Sequence, residues 1–226
     1  MDTVILAGGL GTRLEPVLKG KPKCLAPING NLFIDILLDD CIKQGLRRFI
    51  LCLGYLKEQV IEHLSDRNDC EIVFSEEKEP LGTGGALKNT RPLIKSDPFL
   101  VMNGDSFIDF DMKALAKKQK NYLLSILLYK DNNGSDFGSV KIDDNGLLLA
   151  FDEKKNNSNN KYLNSGRYFF SKNIFNYLPN KKSFSLEKDV FPGLAKKFKI
   201  NSLINNNRSF DIGTPERYSL FIESIL

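Results

Sequence analysis

A glycine-rich segment near the N-terminus has the residue types that bind phosphate. It runs from Gly8 to Leu14 with the sequence GGLGTRL, directly after a short apolar stretch. Glycines let backbone N–H groups approach an anion closely, and the guanidinium of Arg13 carries several donors suited to phosphate oxygens. A Walker A loop needs GxxxxGK followed by serine or threonine, and a dinucleotide-binding loop needs a third glycine where Leu14 stands. Neither fits, so the segment predicts a phosphate site of another kind.

Three further charged residues stand where they could act on the same phosphates. GKPKCLAP (20–27) places Lys23 soon after the glycine-rich segment, and NGD ends a predicted strand with Asp105. Ligands of open α/β sheets gather at such strand ends. Asp211, in the string FDIG, supplies a second carboxylate. Each of these residues alone is also typical of an ordinary loop, so the prediction of a site rests on their occurring together.

Taken together, the strings resemble the sugar-1-phosphate nucleotidyltransferase family in its order and spacing. They are GGLGTRL with PKCLAP, EPLGTGGAL (79–87), NGD (103–105), FDEK (151–154), NSG (164–166) and FDIGTPERY (210–218), and they span essentially the whole chain. The resemblance implies that an oxygen of a sugar 1-phosphate attacks the α-phosphorus of an NTP in line, and that pyrophosphate leaves. Both reactants are anions, so catalysis would rest on positioning and charge neutralisation.

The resemblance also implies roles for individual residues. Arg13, Lys23 and Asp105 would be catalytic, with the two cations on the phosphates, and Asp105 and Asp211 would share a Mg²⁺. The nucleotide would contact Leu6, Ala7, Gly8, Gly9, Gly11, Thr12, Arg13, Glu79, Pro80, Gly82, Thr83, Gly84, Asn103 and Gly104. The base would lie on the GTGG backbone, where a Cβ would collide with its ring, and the Glu79 carboxylate would read guanine. The sugar phosphate would contact Glu153, Lys154, Asn164 and Gly166.

Some strings favour one group within the family. PINGN, EPLGTGGAL, NSGRYFF and FDIGTPERY most resemble the members that use GTP, and among them those that act on D-glycero-α-D-manno-heptose 1-phosphate for bacterial capsules, lipopolysaccharide and other surface glycans. The alternative within the family is a mannose- or glucose-1-phosphate nucleotidyltransferase that uses GTP, UTP or dTTP. Alternatives from other classes are a catalytically silent binding subunit and a nucleotide-dependent scaffold. The presence of Arg13, Lys23, Asp105 and Asp211 argues against a silent protein.

The elements between the strings predict the sheet that positions them. The first half alternates apolar strands at 3–8, 47–54, 70–75 and 98–105 with helices at 32–44, 56–64 and 84–91. This alternation is typical of a parallel sheet covered on both faces. The second half has strands at 125–130, 138–142, 147–153 and 162–170, with turns at 132–134 and 143–146, and then helices at 172–178, 185–198 and 215–225. These strands predict a mixed or antiparallel extension of the same sheet.

We therefore predict an α/β protein with a Rossmann-like three-layer α/β/α nucleotidyltransferase fold, a mixed central sheet and a small antiparallel extension. One domain of residues 1–226 would contain a nucleotide-binding part at about 1–110 and a sugar-binding part at about 111–226.

Composition disfavours several other functions. The net charge of +4 is spread along 226 residues, which speaks against a nucleic-acid partner. Four cysteines without a CxxC motif and a single histidine exclude a plausible Cys/His zinc site. No window approaches the roughly 20 apolar residues of a membrane span, and the first apolar run is too short for a signal peptide. We expect a cytoplasmic enzyme without a membrane partner, and the sequence leaves open whether it forms a homo-oligomer.

Overall fold

The computed structural model describes residues 1–119, 122–130, 139–152 and 162–225. Within them, the strands are β1 (Asp2–Leu6), β2 (Pro27–Ile28), β3 (Asn31–Leu32), β4 (Arg48–Leu53), β5 (Glu71–Glu76), β6 (Phe99–Asn103), β7 (Ser106–Phe107), β8 (Leu124–Lys130), β9 (Ser139–Ile142), β10 (Leu148–Asp152), β11 (Tyr162–Phe170), β12 (Asn201–Asn205) and β13 (Phe210–Asp211). The α-helices are α1 (Glu15–Leu18), α2 (Phe33–Lys43), α3 (Lys57–Leu64), α4 (Gly82–Asn89), α5 (Met112–Gln119), α6 (Phe191–Lys197) and α7 (Pro215–Ser224). The predicted turn at 132–134 and the predicted site residues Glu153 and Lys154 lie outside the described residues.

The first half of the chain forms the parallel part of the central sheet. β1 pairs in parallel with β4 on one side and with β6 on the other, and β5 pairs in parallel with β4. Val4, Ile50 and Val101 in these strands are fully buried. Because parallel strands of this kind are buried on both faces, they carry apolar residues at nearly every position. The predicted parallel sheet is confirmed.

Strand β11 joins the second half of the chain to the first. It runs antiparallel to β6, and it also pairs antiparallel with β8 and β9. β9 in turn pairs antiparallel with β10. The predicted mixed sheet with an antiparallel extension is confirmed, and β12, a strand that the sequence analysis missed, pairs in parallel with β8. The two predicted parts of the chain thus share one sheet, while their assignment to nucleotide and sugar stays a prediction.

Two hydrophobic layers cover the two faces of the sheet. One contains α2 and α7, where the rings of Phe33 and Phe221 meet edge to face at 5.3 Å. The other contains α4 and α6 through residues such as Leu87 and Phe191. Among the described helices, none has the length and apolar character that crossing a membrane requires.

The end of helix α2 follows the prediction made from Gly45. This glycine has φ of 90°, a left-handed conformation that costs other residues free energy. Its N–H donates to the Ile42 carbonyl and the Leu46 N–H donates to the Cys41 carbonyl, both at 3.0 Å. These two bonds satisfy the last carbonyls of the helix as a Schellman motif does.

The single helix predicted at 185–198 is divided in the structure. Residues Leu186–Val190 form a π-helical turn, whose first N–H groups are capped by the Ser185 hydroxyl, and α6 begins only at Phe191. Pro192 explains the division, because proline has no N–H to donate and its ring clashes with the preceding turn. The segment predicted as a helix at 172–178 is a 3₁₀ helix, Lys172–Asn176, and α5 was not predicted at all.

The glycines of GTGG let helix α4 pack directly on the segment 182–184. A Cβ at Gly84 would collide with the ring of Phe184, and a Cβ at Gly85 would collide with the carbonyl oxygen of Lys182. The N–H groups of Gly84 and Gly85 both donate to the Phe184 carbonyl, at 2.9 and 3.2 Å. The sequence analysis attributed these glycines to contact with a base. In the structure, contact between two protein segments is what requires glycine at Gly84 and Gly85.

We expect Gly85→Ala to lower the free energy of unfolding by about 1–3 kcal/mol, because its methyl group would displace a backbone carbonyl. The melting temperature should fall by roughly 2–4 °C per kcal/mol in a chain of this size. Gly193→Ala is the matched control, since a Cβ there meets no described atom within 4 Å and alanine favours the helix. Equal melting temperatures for the two variants in thermal unfolding would contradict this account of the packing.

Candidate active site

A cavity opens at the carboxyl ends of β1 and β6, where a parallel sheet gathers its ligands. The predicted site residues that line it are Leu6, Ala7, Gly8, Gly9, Lys23, Pro80, Gly82, Thr83, Asn103, Gly104 and Asp105. Leu10, Cys24, Glu77 and Ala86 also line it, and the sequence analysis did not name them. Gly11, Thr12 and Arg13 of the predicted set lie just beyond this lining, at the start of the 3₁₀ turn Thr12–Leu14.

The first two glycines after β1 differ in what surrounds them. A Cβ at Gly8 would lie 2.7 Å from Oε1 of Glu77, so a larger residue there would have to displace the Glu77 side chain. A Cβ at Gly9 would meet no described atom within 4 Å, although Gly9 lines the cavity. Gly9 therefore leaves room that no described protein group occupies.

Glu77 follows β5 directly and places a carboxyl group in the cavity. It is 8% exposed, its Oε2 accepts a hydrogen bond from the Leu81 N–H at 3.1 Å, and its Oε1 lies on the side of Gly8. Burial raises the pKa of Glu77, and the Leu81 N–H opposes that shift. Glu77 stands at the end of a strand, as Asp105 does. The sequence therefore contained the pattern that would have identified Glu77 as a site residue.

Glu79, the carboxylate predicted to read guanine, lies elsewhere. Its side chain is 62% exposed and accepts a contact from Nζ of Lys182 at 3.4 Å. It does not line the cavity, whereas Glu77, two residues earlier in the chain, does. Between the two, only the Glu77 carboxyl is placed to meet a ligand in the cavity.

Lys23 and Asp105 form an ion pair at the mouth of the cavity. Nζ of Lys23 lies 2.6 Å from Oδ2 of Asp105, and the Ser106 hydroxyl donates to Oδ1 at 3.0 Å. Desolvation acts to raise the pKa of Asp105, but Lys23 and then Ser106 outweigh it, and the pKa lies below its ordinary value. The carboxyl side chain is still 41% exposed, which leaves it open to a ligand.

Asp211 lies beside Asp105 because two short strands pair. β13 runs antiparallel to β7 with Asp211 opposite Ser106, and the Ile212 N–H donates to the Asp105 carbonyl at 3.0 Å. Asp105 and Asp211, which are 106 positions apart in sequence, are thereby brought onto neighbouring segments. Within the described ranges, no group of three or more His, Cys, Asp or Glu side chains is arranged to hold a metal.

Two arginines accompany the Asp211 carboxylate. Nη1 of Arg217 donates to both of its oxygens at 3.2 and 3.3 Å, and the Gly213 N–H donates to Oδ1 at 2.7 Å. Nη2 of Arg13 lies 3.4 Å from the position that a Cβ of Gly213 would take. The exposed guanidinium of Arg13 therefore lies near the segment that carries the Asp211 carboxylate.

Asn164 and Gly166 lie in a bulge of β11. The pairing of β11 with β8 shifts register between Asn164 and Tyr168, and Gly166 there has φ of 72°. The Asn164 side chain donates to the Tyr168 hydroxyl at 2.7 Å and accepts from the Gly166 N–H at 3.1 Å. A Cβ at Gly166 would lie 2.7 Å from Nδ2 of Asn103, so the bulge adjoins the cavity.

A buried hydrogen-bond network connects this bulge to helix α4. The Tyr168 hydroxyl donates to Oε1 of Glu187 at 3.3 Å. Oε2 of the same carboxylate accepts from the hydroxyls of Thr83 and Ser185, at 2.6 and 2.8 Å. Burial raises the pKa of Tyr168 well above its ordinary value, so the phenol keeps its proton and acts as a donor. Thr83 lines the cavity, and the network therefore ties the cavity wall to the Asn164 side.

Comparison with known proteins shows which family the chain resembles over nearly its whole length. The chain matches the Nucleotidyl transferase family over residues 2–225. It is 36% identical to D-glycero-alpha-D-manno-heptose 1-phosphate guanylyltransferase of Campylobacter jejuni over 98% of this chain and 99% of that protein. It is 31% identical to the protein of the same name from Aneurinibacillus thermoaerophilus, over 96% of this chain and 95% of that protein. The crystal structure of HddC from Yersinia pseudotuberculosis complexed with GMP-PN superposes with a TM-score of 0.88 at 33% identity, over 100% of this chain and 99% of that one.

We expect Lys23→Met to raise the pKa of the Asp105 carboxyl, because the desolvation remains while the neighbouring cation is lost. A pH titration of the Asp105 side-chain carbon signal by NMR measures the shift. Lys21→Met, an exposed lysine on the same segment, should leave that titration unchanged. Identical titration curves for Asp105 in the wild type and in Lys23→Met would contradict the ion pair.

Proposed function

Because the chain belongs to the nucleotidyl transferase family, we propose that it transfers GMP from GTP to D-glycero-α-D-manno-heptose 1-phosphate and releases pyrophosphate. The relatives from Campylobacter jejuni and Aneurinibacillus thermoaerophilus, named for this reaction and matched over nearly their whole length, support the proposal. The GMP-PN bound to the Yersinia protein supports a guanine nucleotide. The single observation of this chain that carries the proposal is the Glu77 carboxyl in the cavity beside Gly8.

Glu77 is the group that would select guanine. An ionised carboxylate only accepts hydrogen bonds, and guanine offers N1–H and N2–H donors on one edge. Adenine presents a ring-nitrogen acceptor at the same place, which would face the carboxylate oxygens without a proton between them. The bond from the Leu81 N–H to Oε2 fixes the carboxyl, and Oε1 stays on the cavity side. Such a fixed acceptor gains selectivity because the wrong base leaves it unpaired.

The phosphates of the nucleotide would lie along the segment after β1. Gly9 leaves room there, and its backbone can approach a phosphate closely. Lys23 and Arg13 are the cations beside this room that would oppose the negative charge on the α-phosphate and the departing pyrophosphate. Charge of this kind grows as the bond to the leaving group breaks, so preorganised cations lower the barrier.

The pair of carboxylates fits a Mg²⁺ ion. Asp105 and Asp211 provide hard oxygen ligands on adjacent segments, and Mg²⁺ is usually held by one or two carboxylates together with phosphate oxygens and water. When bound, the metal would neutralise phosphate charge and orient the reacting phosphate. Ser106 and Gly213 hold one oxygen of each carboxylate, so their hydrogen bonds would aim the pair.

The sugar 1-phosphate would approach from the β11 side. Gly166 adjoins Asn103, which lines the cavity, and Asn164 is hydrogen-bonded to Gly166, and these contacts support a sugar region beside the proposed nucleotide region. By the family resemblance, Glu153 would accept hydrogen bonds from sugar hydroxyls and Lys154 would meet the sugar phosphate. The attacking phosphate oxygen would then enter between the two substrate regions, near Lys23 and Asp105.

We expect pyrophosphate release with GTP, heptose 1-phosphate and Mg²⁺, and none in excess EDTA. ATP should be slower by roughly 30-fold to over 1000-fold, if two polar groups are left unpaired at about 1–3 kcal/mol each. Mannose 1-phosphate should be a poorer acceptor than heptose 1-phosphate. A screen of four NTPs against sugar 1-phosphates measures all of this. A preference for UTP or dTTP would overturn the guanylyl assignment, and binding without pyrophosphate release would indicate a silent subunit.

We expect Glu77→Gln to weaken GTP binding by roughly 5- to 150-fold, because the glutamine N–H₂ meets a guanine donor. ATP binding should change little, and Glu79→Gln is the matched control that should bind GTP as the wild type does. Calorimetric titration measures both.

The same assignment has a pH signature. The raised pKa of Glu77 means that wild-type affinity for GTP is lost as pH falls through a range above that of an ordinary glutamate. Glu77→Gln should remove this pH dependence. Full GTP affinity in Glu77→Gln, or loss of it in Glu79→Gln, would contradict the assignment.

A further inference from the structure

Arg167 is a fully buried arginine that the proposed reaction does not use. It follows the bulge glycine Gly166 in β11, pairs with Met102 of β6 and is only 1% exposed. Its guanidinium donates to three backbone carbonyls. Nη2 reaches the Ser106 oxygen at 2.6 Å, and Nη1 reaches the oxygens of Asn103 and Gly166, both at 3.3 Å.

Among the described residues, no ion pair accounts for a guanidinium at this position. In the described part of the chain no carboxylate lies within salt-bridge distance of Arg167, and its buried Nε has no hydrogen-bond partner there. Burial lowers the pKa of Arg167, and the more distant Asp40 and Asp105 carboxylates oppose this shift. A buried charge is costly, and an apolar side chain of similar volume is often at least as stabilising.

The three acceptors show what the guanidinium does hold. Asn103 and Ser106 bracket the turn that contains Gly104 and Asp105, and Gly166 belongs to the neighbouring strand β11. One rigid planar group thus fastens both ends of this turn to the bulge. Gly104 adds a close contact on the other side, because a Cβ there would lie 2.9 Å from the Leu6 carbonyl.

We propose that Arg167 is a positioning residue. Its guanidinium clamps both ends of the turn 103–106 and thereby fixes the Asp105 carboxylate for the reaction. The inference rests on the proposed function of Asp105. A guanidinium suits the task because its fork presents several donors in fixed directions, while the lysine ammonium is a compact point charge on a flexible stem. The clamp therefore depends on geometry and not on positive charge alone.

Arg167→Lys tests the clamp because it keeps the charge and loses the fork. We expect its kcat to fall at least ~10-fold, since misplacement of a reacting group by about 1 Å can cost 100-fold. The Kd for GTP measured by calorimetry in EDTA should change by a smaller factor than kcat, because Asn103 and Gly104 would contact the nucleotide before the reaction, whereas Asp105 would act on it during the reaction. Arg167→Met should lose at least as much in kcat as Arg167→Lys.

Phe169→Leu is the matched control for loss of stability. Phe169 lies two residues along β11, on the same face of the strand as Arg167, and is fully buried. We expect it to lower the melting temperature and to leave kcat within ~2-fold of the wild type, as a change of packing away from the reacting groups should. The Asp105→Asn background tests whether Arg167 acts through Asp105. There, Arg167→Lys should cost less than ~2-fold in kcat, because residues that act as one unit are not additive.

Three results would overturn the clamp. They are a kcat within ~2-fold of the wild type in Arg167→Lys, a drop in kcat that Phe169→Leu matches at equal melting temperature, and the same loss in the Asp105→Asn background. If the variants do not fold, the wild type decides. Resolved, slowly exchanging Nη proton signals of Arg167 in an NMR spectrum support the clamp, and freely rotating, averaged signals overturn it. Absence of pyrophosphate release from the wild type would remove the proposed function while leaving this spectrum interpretable.

Discussion

The antiparallel pairing of β11 with β6 is the contact on which the arrangement of the site depends. β6 ends at Asn103, where the turn that contains Asp105 begins. β11 carries Asn164 and Gly166 in its bulge. Without this pairing, the bulge would have no fixed position relative to the cavity. With it, the turn that contains Asp105 and the bulge that contains Asn164 and Gly166 lie side by side. Backbone hydrogen bonds set the distance between them.

The carboxylates of Asp105 and Asp211 are each held by hydrogen bonds. Asp105 is held by Lys23 and Ser106, and Asp211 by Arg217 and the Gly213 N–H. Side chains held in this way lose little further freedom when a ligand binds, which favours binding and catalysis by preorganisation. For Asp105, the contacts with Lys23 and Ser106 also hold the pKa below its ordinary value, which favours the ionised form that a divalent cation binds.

Much of the fold follows from local patterns, and the parts that do not are set by distant contacts. The parallel strands and α2 with its closing Gly45 were predicted because hydrophobic period and turn residues are properties of a short window. The short strand β13 pairs with β7 across about a hundred residues, and β12 joins the sheet only beside β8, so no window contains either signal. Pro192 shows the opposite case, a local signal whose effect on the predicted helix was overlooked.

The site shows the same division. The family strings located the cavity residues, yet the choice between Glu77 and Glu79 required knowing which carboxyl faces inward. The role of Gly84 and Gly85 depends on Phe184 and Lys182, residues about a hundred positions away. Arg167 was invisible as a site residue because its three acceptors are backbone carbonyls, which have no sequence signature.

The unbroken sheet has a mechanical consequence. A hinge between the nucleotide side and the sugar side would have to break the hydrogen bonds between β6 and β11, at a net loss of about 1 kcal/mol for each bond. The proposed nucleotide and sugar regions are therefore joined by the sheet itself, and a movement that closes one on the other would have to come from segments outside it. If these regions hold their substrates, the sheet sets the distance between them, and an acceptor sugar would be selected by whether its length fits that distance.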